Sequence, residues 1–208
     1  MQARHYLERP TKDAIRELPK FNGLPLDRIL SIRTKADIDF AHSEVCKALH
    51  VGFDTESKPN FVTNQPRTGP HILQVSTRHH AFLFRADHGP SNELISAIIE
   101  SEKIIKVGFG LKSDRGPIHR TLGVKLRSIV ELSAVVRRLG YRQQVGLQTA
   151  VAVVLGQYLQ KSKKLTTSNW AANPLSASQS LYAANDAYAS LCVYLELSRT
   201  SQHLLVSA

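Results

Sequence analysis

The chain has 208 residues, a length that suits one domain with a sizeable core. Hydrophobic residues make up 42% and charged residues 21%, which excludes a disordered or low-complexity chain. The formal net charge is +10, and its basic residues are scattered rather than gathered on one amphipathic helix. That points to a polyanionic partner, nucleic acid before a membrane surface.

No apolar run approaches the roughly 20 residues that span a bilayer. The first ten residues carry charge with no apolar stretch behind them, so no secretory signal is expected. Cys46 and Cys192 belong to no Cys-x-x-Cys pattern and read as reduced, mostly buried thiols of a cytoplasmic protein. The nine histidines show no zinc-site spacing.

Residues 1–48 read as an N-terminal helical or irregular extension punctuated by Pro10, Pro19, Gly23 and Pro25, and 49–208 as the main domain. Within the extension, Ile38, Ala41, Val45 and Leu49 have helical spacing. The pattern then switches to period two over His50-Val-Gly-Phe-Asp-Thr-Glu56, a strand. Residues 57–69 read as a loop, 71–77 and 81–84 as two further strands of an antiparallel meander, and 91–101 as a helix. A fourth strand at 103–109, a helix at 112–121 and a short strand at 129–132 follow. Helices are expected at 132–139, 147–155 and 177–198, the last opened by a capping box between Ser176 and Gln179. This is an α/β chain with a mixed five-stranded sheet, three antiparallel strands and then two parallel ones, flanked by helices.

Several acids stand out. Asp54 and Glu56 are two apart on a strand and so share a face. Two acids there repel each other and lose solvation, which is uncommon unless a cation lies between them. An ordinary exposed strand face is the alternative. Asp114 lies just past a strand, where acids often cap helices. Tyr182 and Asp186 are one turn apart on a helix whose Ala183, Ala184 and Ala187 permit close approach to another surface. Taken singly, Asp114 reads better as a helix cap and Asp186 as a surface acid.

Taken together and in order, these features resemble the DEDD superfamily of 3′–5′ exonucleases, in its tyrosine subgroup, with ribonuclease D and Werner-type exonuclease domains most similar. Gly52-Phe-Asp-Thr-Glu56, Lys106-Val-Gly-Phe-Gly-Leu-Lys-Ser-Asp114 and Tyr182-Ala-Ala-Asn-Asp-Ala-Tyr188 resemble its three motifs, and Lys163-Lys-Leu-Thr-Thr-Ser-Asn-Trp170 is similar to the segment before the last helix. The resemblance covers residues 48–198 and places an exonuclease domain at 49–208. It implies a ribonuclease H-like fold. Many relatives carry tryptophan just after the first-motif glutamate. This chain has Ser57, a difference that bears on substrate shape.

The resemblance also implies two Mg²⁺ or Mn²⁺ ions held by Asp54, Glu56, Asp114 and Asp186, with Asp54 shared between them. The ions would clamp an in-line displacement. Tyr182 would orient the attacking water, because a phenol of pKa near 10 is a poor base at neutral pH. Thr55 would meet the terminal nucleotide through its backbone. Lys112 and Arg115 beside Asp114, with Lys161, Lys163 and Lys164 before the last helix, are candidate phosphate contacts. Phe109 and Trp170 read as core. The expected activity is removal of nucleoside monophosphates from the 3′ ends of RNA or DNA. The alternative is a non-catalytic nucleic-acid-binding module of the same fold.

Overall fold

The structure, a computed structural model, describes residues 6–60 and 68–205. Its centre is a sheet built from β1 (Ile29–Ser31), β2 (His50–Glu56), β3 (Ile72–Ser76), β4 (Ala81–Arg85), β5 (Ile105–Gly108) and β6 (Ile129–Glu131), in the order β1-β4-β3-β2-β5-β6. β2, β3 and β4 pair antiparallel, whereas β5 joins β2 and β6 joins β5 in parallel. The expected five strands are all present.

The sheet has six strands rather than five. Ile29-Leu30-Ser31 pairs parallel with Ala81-Phe82-Leu83 at the edge of β4. Three residues are too few to show an alternating pattern, but they satisfy backbone groups that β4 would otherwise leave open. The segment read as an extension therefore enters the sheet. It also enters the core through α2 (Lys35–Val45), whose Ala41 and Val45 are fully buried. A capping box between Thr34 and Asp37 starts that helix upstream of the expected position.

The helices form a layer on each face. α2, α3 (Gly89–Glu100) and α4 (Leu111–Leu122) cover Val51, Phe53, Leu73, Val75, Phe82 and Phe84. The other face takes α5 (Leu132–Arg137), α6 (Leu147–Ala150) with its π-helical extension Val151–Leu155, and the long helix numbered α8 below. Two short helices complete the set, α1 (Lys12–Arg16) and α7 (Lys163–Thr166). The continuous helix expected at 147–155 thus changes winding halfway.

α8 (Ala177–Thr200) positions half of the site. Ser176 Oγ accepts from the Gln179 amide at 3.2 Å and Gln179 Oε1 accepts from the Ser176 amide at 3.0 Å, the expected box. Gly52 lies directly under Ala187, and any side chain there would run into the Ala187 carbonyl. The absence of a Cβ on β2 and the run of alanines on α8 let helix and strand meet backbone to backbone.

Residues 19–24 form a strap across this helix. Phe21 N–H donates to the Tyr158 carbonyl (2.9 Å), Tyr158 N–H to the Pro19 carbonyl (2.7 Å), and Leu24 N–H to Asn185 Oδ1 (2.7 Å). The loop expected at 57–69 has its middle, 61–67 with Pro66, outside the described residues. Trp170 is fully buried, as expected, and Phe109 packs partly buried against the α8-side core. Cys46 is a correction: it is exposed just past the end of α2, and Cys192 is half-buried. Among the described residues no helix is long and apolar enough to cross a membrane.

Candidate active site

The alternation of β2 sorts its residues. Val51 and Phe53 join the core beneath α2 and α3, which leaves Gly52, Asp54 and Glu56 facing α8. There they meet Asp186, which is only 3% exposed. One carboxylate oxygen from each of Asp54, Glu56 and Asp186 lies within 4.8 Å of the others. A strand and a helix far apart in the chain thus aim three acids at one point.

Burial and mutual repulsion define this cluster. Burial first, then the Asp186 charge, pushes the Asp54 carboxyl up to about 8. Burial, then Asp54 and Asp186, pushes Glu56 up to about 9. Asp186 is also raised by burial, while the Lys161 ammonium pulls it back. That ammonium donates to Asp186 Oδ2 at 2.7 Å and lies 5.4 Å from the centre of the Tyr182 ring. Burial works against the Lys161 charge, but the Asp186 contact outweighs it and holds Lys161 protonated.

Asp114 stands outside the 4.8 Å group, beside it on the first turn of α4. Burial, then the Glu131 charge, lifts its carboxyl to about 6, while a hydrogen bond from the Thr55 side chain works the other way. Its charge also raises Asp54 and Glu56. The cap that sequence offered to Asp114 is made by Glu131, which accepts from Gly110 N–H at 2.9 Å and Lys112 N–H at 3.3 Å. Gly110 has φ 79° and swings the chain from β5 into α4. Asp114 is thereby left to face the cluster.

Tyr182 borders the same space. Its hydroxyl is 2.9 Å from Thr166 Oγ1 on α7. Burial, then Asp186, raises its pKa further above the usual value. Thr55 N–H donates to Asp54 Oδ1 at 2.9 Å. Of the expected phosphate contacts, Lys112, Arg115, Lys163 and Lys164 are all exposed, the first two on α4 and the others on α7.

Sequence reasoning undervalued three residues. Lys161 carries no pattern that separates it from Lys163, and its depth comes from the loop path. Glu131 reads as the last residue of a strand. Gln74 lies directly opposite Asp54 across β2–β3, is fully buried, and neither polar atom of its carboxamide has a hydrogen-bond partner among the described residues. A polar residue mid-strand was the available signal for it.

Comparison with known proteins gives the family. Residues 30–202 match the 3′–5′ exonuclease family. The mouse bifunctional 3′–5′ exonuclease/ATP-dependent helicase WRN is 34% identical over 150 residues, covering 71% of this chain and 11% of that protein. A 3′–5′ exonuclease of Arabidopsis thaliana is 26% identical over 179 residues, covering 80% of this chain and 62% of that protein. The chain therefore spans less than two thirds of either relative. Among solved structures, the Aedes aegypti Nibbler EXO domain superposes with TM-score 0.72 at 20% identity, covering 88% of this chain and 94% of that one. Trypanosoma brucei RNase D in complex with RNA U12 superposes with TM-score 0.70 at 18% identity, covering 81% and 62%. Both share the fold. Because the matched span takes in β2 through α8 and every acid of the cluster, the chain belongs to the 3′–5′ exonuclease family.

Proposed function

We propose that this chain hydrolyses phosphodiester bonds from the 3′ ends of RNA, DNA or both and releases nucleoside monophosphates. The observation that carries this reading is the convergence of Asp54, Glu56 and Asp186 within 4.8 Å, with Asp114 alongside. A buried group of acids is a poor phosphate site by itself, so a non-catalytic binding module leaves the cluster without a purpose.

The residues fit a pair of divalent ions. All the donors are hard carboxylate oxygens, the type that Mg²⁺ and Mn²⁺ take. The Lys161 ammonium already sits on Asp186, so a cation suits this spot. The buried carboxamide of Gln74 lacks partners, and the water shell of a bound ion could supply them. In this reading Asp54, Glu56, Asp114 and Asp186 would hold the two ions, which would lower the pKa of a water and stabilise the departing 3′ oxygen. The chain supplies position. Tyr182 holds the attacking water through its hydroxyl. Thr55 keeps Asp54 aimed through its N–H and meets the terminal nucleotide. Lys161, beside Asp186, lies close to where the phosphate would sit, while Lys112, Arg115, Lys163 and Lys164 hold the strand around it.

Digestion of 3′-labelled and 5′-labelled RNA and DNA strands with Mn²⁺, with and without EDTA, tests this. Loss of the 3′ label first as mononucleotide, abolished by EDTA, is expected. Cleavage of a circular strand, or no cleavage of any strand, would refute it.

A further inference from the structure

A second concavity, of about 570 Å³, lies along α4 away from the acids. Arg115 and His119, one turn apart, form one wall, and Lys125 and Arg127 form the other. We propose that this cleft is a second phosphate subsite, which holds substrate backbone upstream of the cleaved 3′ end. It rests on the exonuclease reading.

Position is the first argument. Arg115 follows Asp114 in the first turn of α4, so the helix that carries one acid of the site also carries one wall of the cleft. The 12 residues of α4 extend about 18 Å. A strand with its 3′ end at the acids could lay successive phosphates along this helix.

Charge is the second. Neither the Arg115 guanidinium nor the Lys125 ammonium has an ion-pair or hydrogen-bond partner among the described residues, and both are exposed. Glu102 is the one acid in the cleft wall, and it pairs with Arg127 at 2.6 Å. That pair is solvent-exposed and yields easily to a phosphate. The cations also offset the repulsion that the acid cluster exerts on any approaching backbone.

Rigidity is the third. The 124–128 loop is tied down along its length. Lys125 N–H donates to Glu100 Oε1 (3.2 Å), Arg127 N–H to the Ile99 carbonyl (3.1 Å), and Ser128 Oγ to the Glu102 carbonyl (3.1 Å). Leu126 is buried between the two cations. Ser128 takes φ 45°, the one positive φ outside glycine among the described residues, while its carbonyl accepts from Lys106 N–H. The buried Lys106 ammonium in turn holds the Ser101 and Ile104 carbonyls at 2.7 and 2.8 Å. Lys125 and Arg127 are thus presented on a fixed frame, which lowers the ordering cost of binding.

The test is fluorescence anisotropy in EDTA, where nothing is cut. The probes are a labelled single strand of about 12 nucleotides and a hairpin with a short 3′ overhang. The variant is Lys125→Ala/Arg127→Ala, with its melting temperature as a check on folding. The slope of log Kd against log salt on the single strand should flatten by about 1.4, roughly 0.7 for each lost contact. Flattening on the single strand supports the proposal, and flattening on the hairpin alone, which would put the complementary strand in the cleft, overturns it. Unchanged affinity and slope on both probes overturn the proposal. Because binding is read without metal, a wild-type protein that binds through the cleft but never cuts would sink the exonuclease reading and leave the subsite standing.

Discussion

Helix α4 borders both charged regions, the acid cluster through Asp114 and the basic cleft through Arg115 and His119. The acids are buried enough to push Asp54 to about 8 and Glu56 to about 9, whereas the cleft's cations stand in solvent. Exposed charge costs a fold little, so its presence says little about use. Like charges packed beneath a helix oppose folding, and their retention calls for a ligand that cancels them. The buried region therefore announces its chemistry, and the exposed one needs a binding experiment to reveal it.

The largest effect should come from removing one buried acid. Asp54→Ala or Asp186→Ala should abolish cleavage in a Mn²⁺ nuclease assay, at a cost of about 3–4 kcal/mol or more in the barrier. For Asp54→Ala the metal-free protein should melt no lower than wild type, since an opposed charge is gone. Full activity in Asp186→Ala would break the contrast outright.

Next comes pH. The site carboxyls titrate higher folded than their ordinary 3.8 and 4.5, so they favour the folded state most when protonated. That contribution is complete below about 4 and fades as pH rises through about 6 for Asp114, 8 for Asp54 and 9 for Glu56. The melting temperature in EDTA should fall between pH 5 and 9, and Mn²⁺ should restore it most at the alkaline end. A flat EDTA profile would mean that the acids neither lose solvation nor repel one another.

Tyr182→Phe loses a hydroxyl but no charge. It should lower kcat by less than loss of an acid and leave Mn²⁺ affinity, read by calorimetry, unchanged. Altered affinity would place the phenol on the ion rather than on water.

The smallest effect is the most discriminating. Gln74→Leu removes a buried amide that has no partner among the described residues, so the metal-free protein should melt at the same temperature or slightly higher. Mn²⁺ should bind several-fold more weakly if the amide serves the ion's water shell. Equal affinity would make Gln74 a packing residue only.

Much of this was legible in the residues themselves. β2 shows through its period of two, and α8 through its capping box and alanines. The acids became a set only through their order along the chain, because each alone fits a surface position. β1 was hidden by its three-residue length, and the change of winding at Val151 leaves the apolar spacing intact. Lys161 and Gln74 were hidden for a different reason. What each does depends on which residues of other segments lie against it, and local spacing holds no record of that.

The strap at 19–24 has a practical consequence. Its Leu24–Asn185 bond grips α8 one residue before Asp186, and its Pro19–Tyr158 and Phe21–Tyr158 bonds steady the segment that delivers Lys161. A fragment trimmed to start at His50 would keep every acid yet lose the clasp that sets their spacing. A shortened chain that keeps this grip on α8, together with β1 and α2, has to start upstream of Pro19.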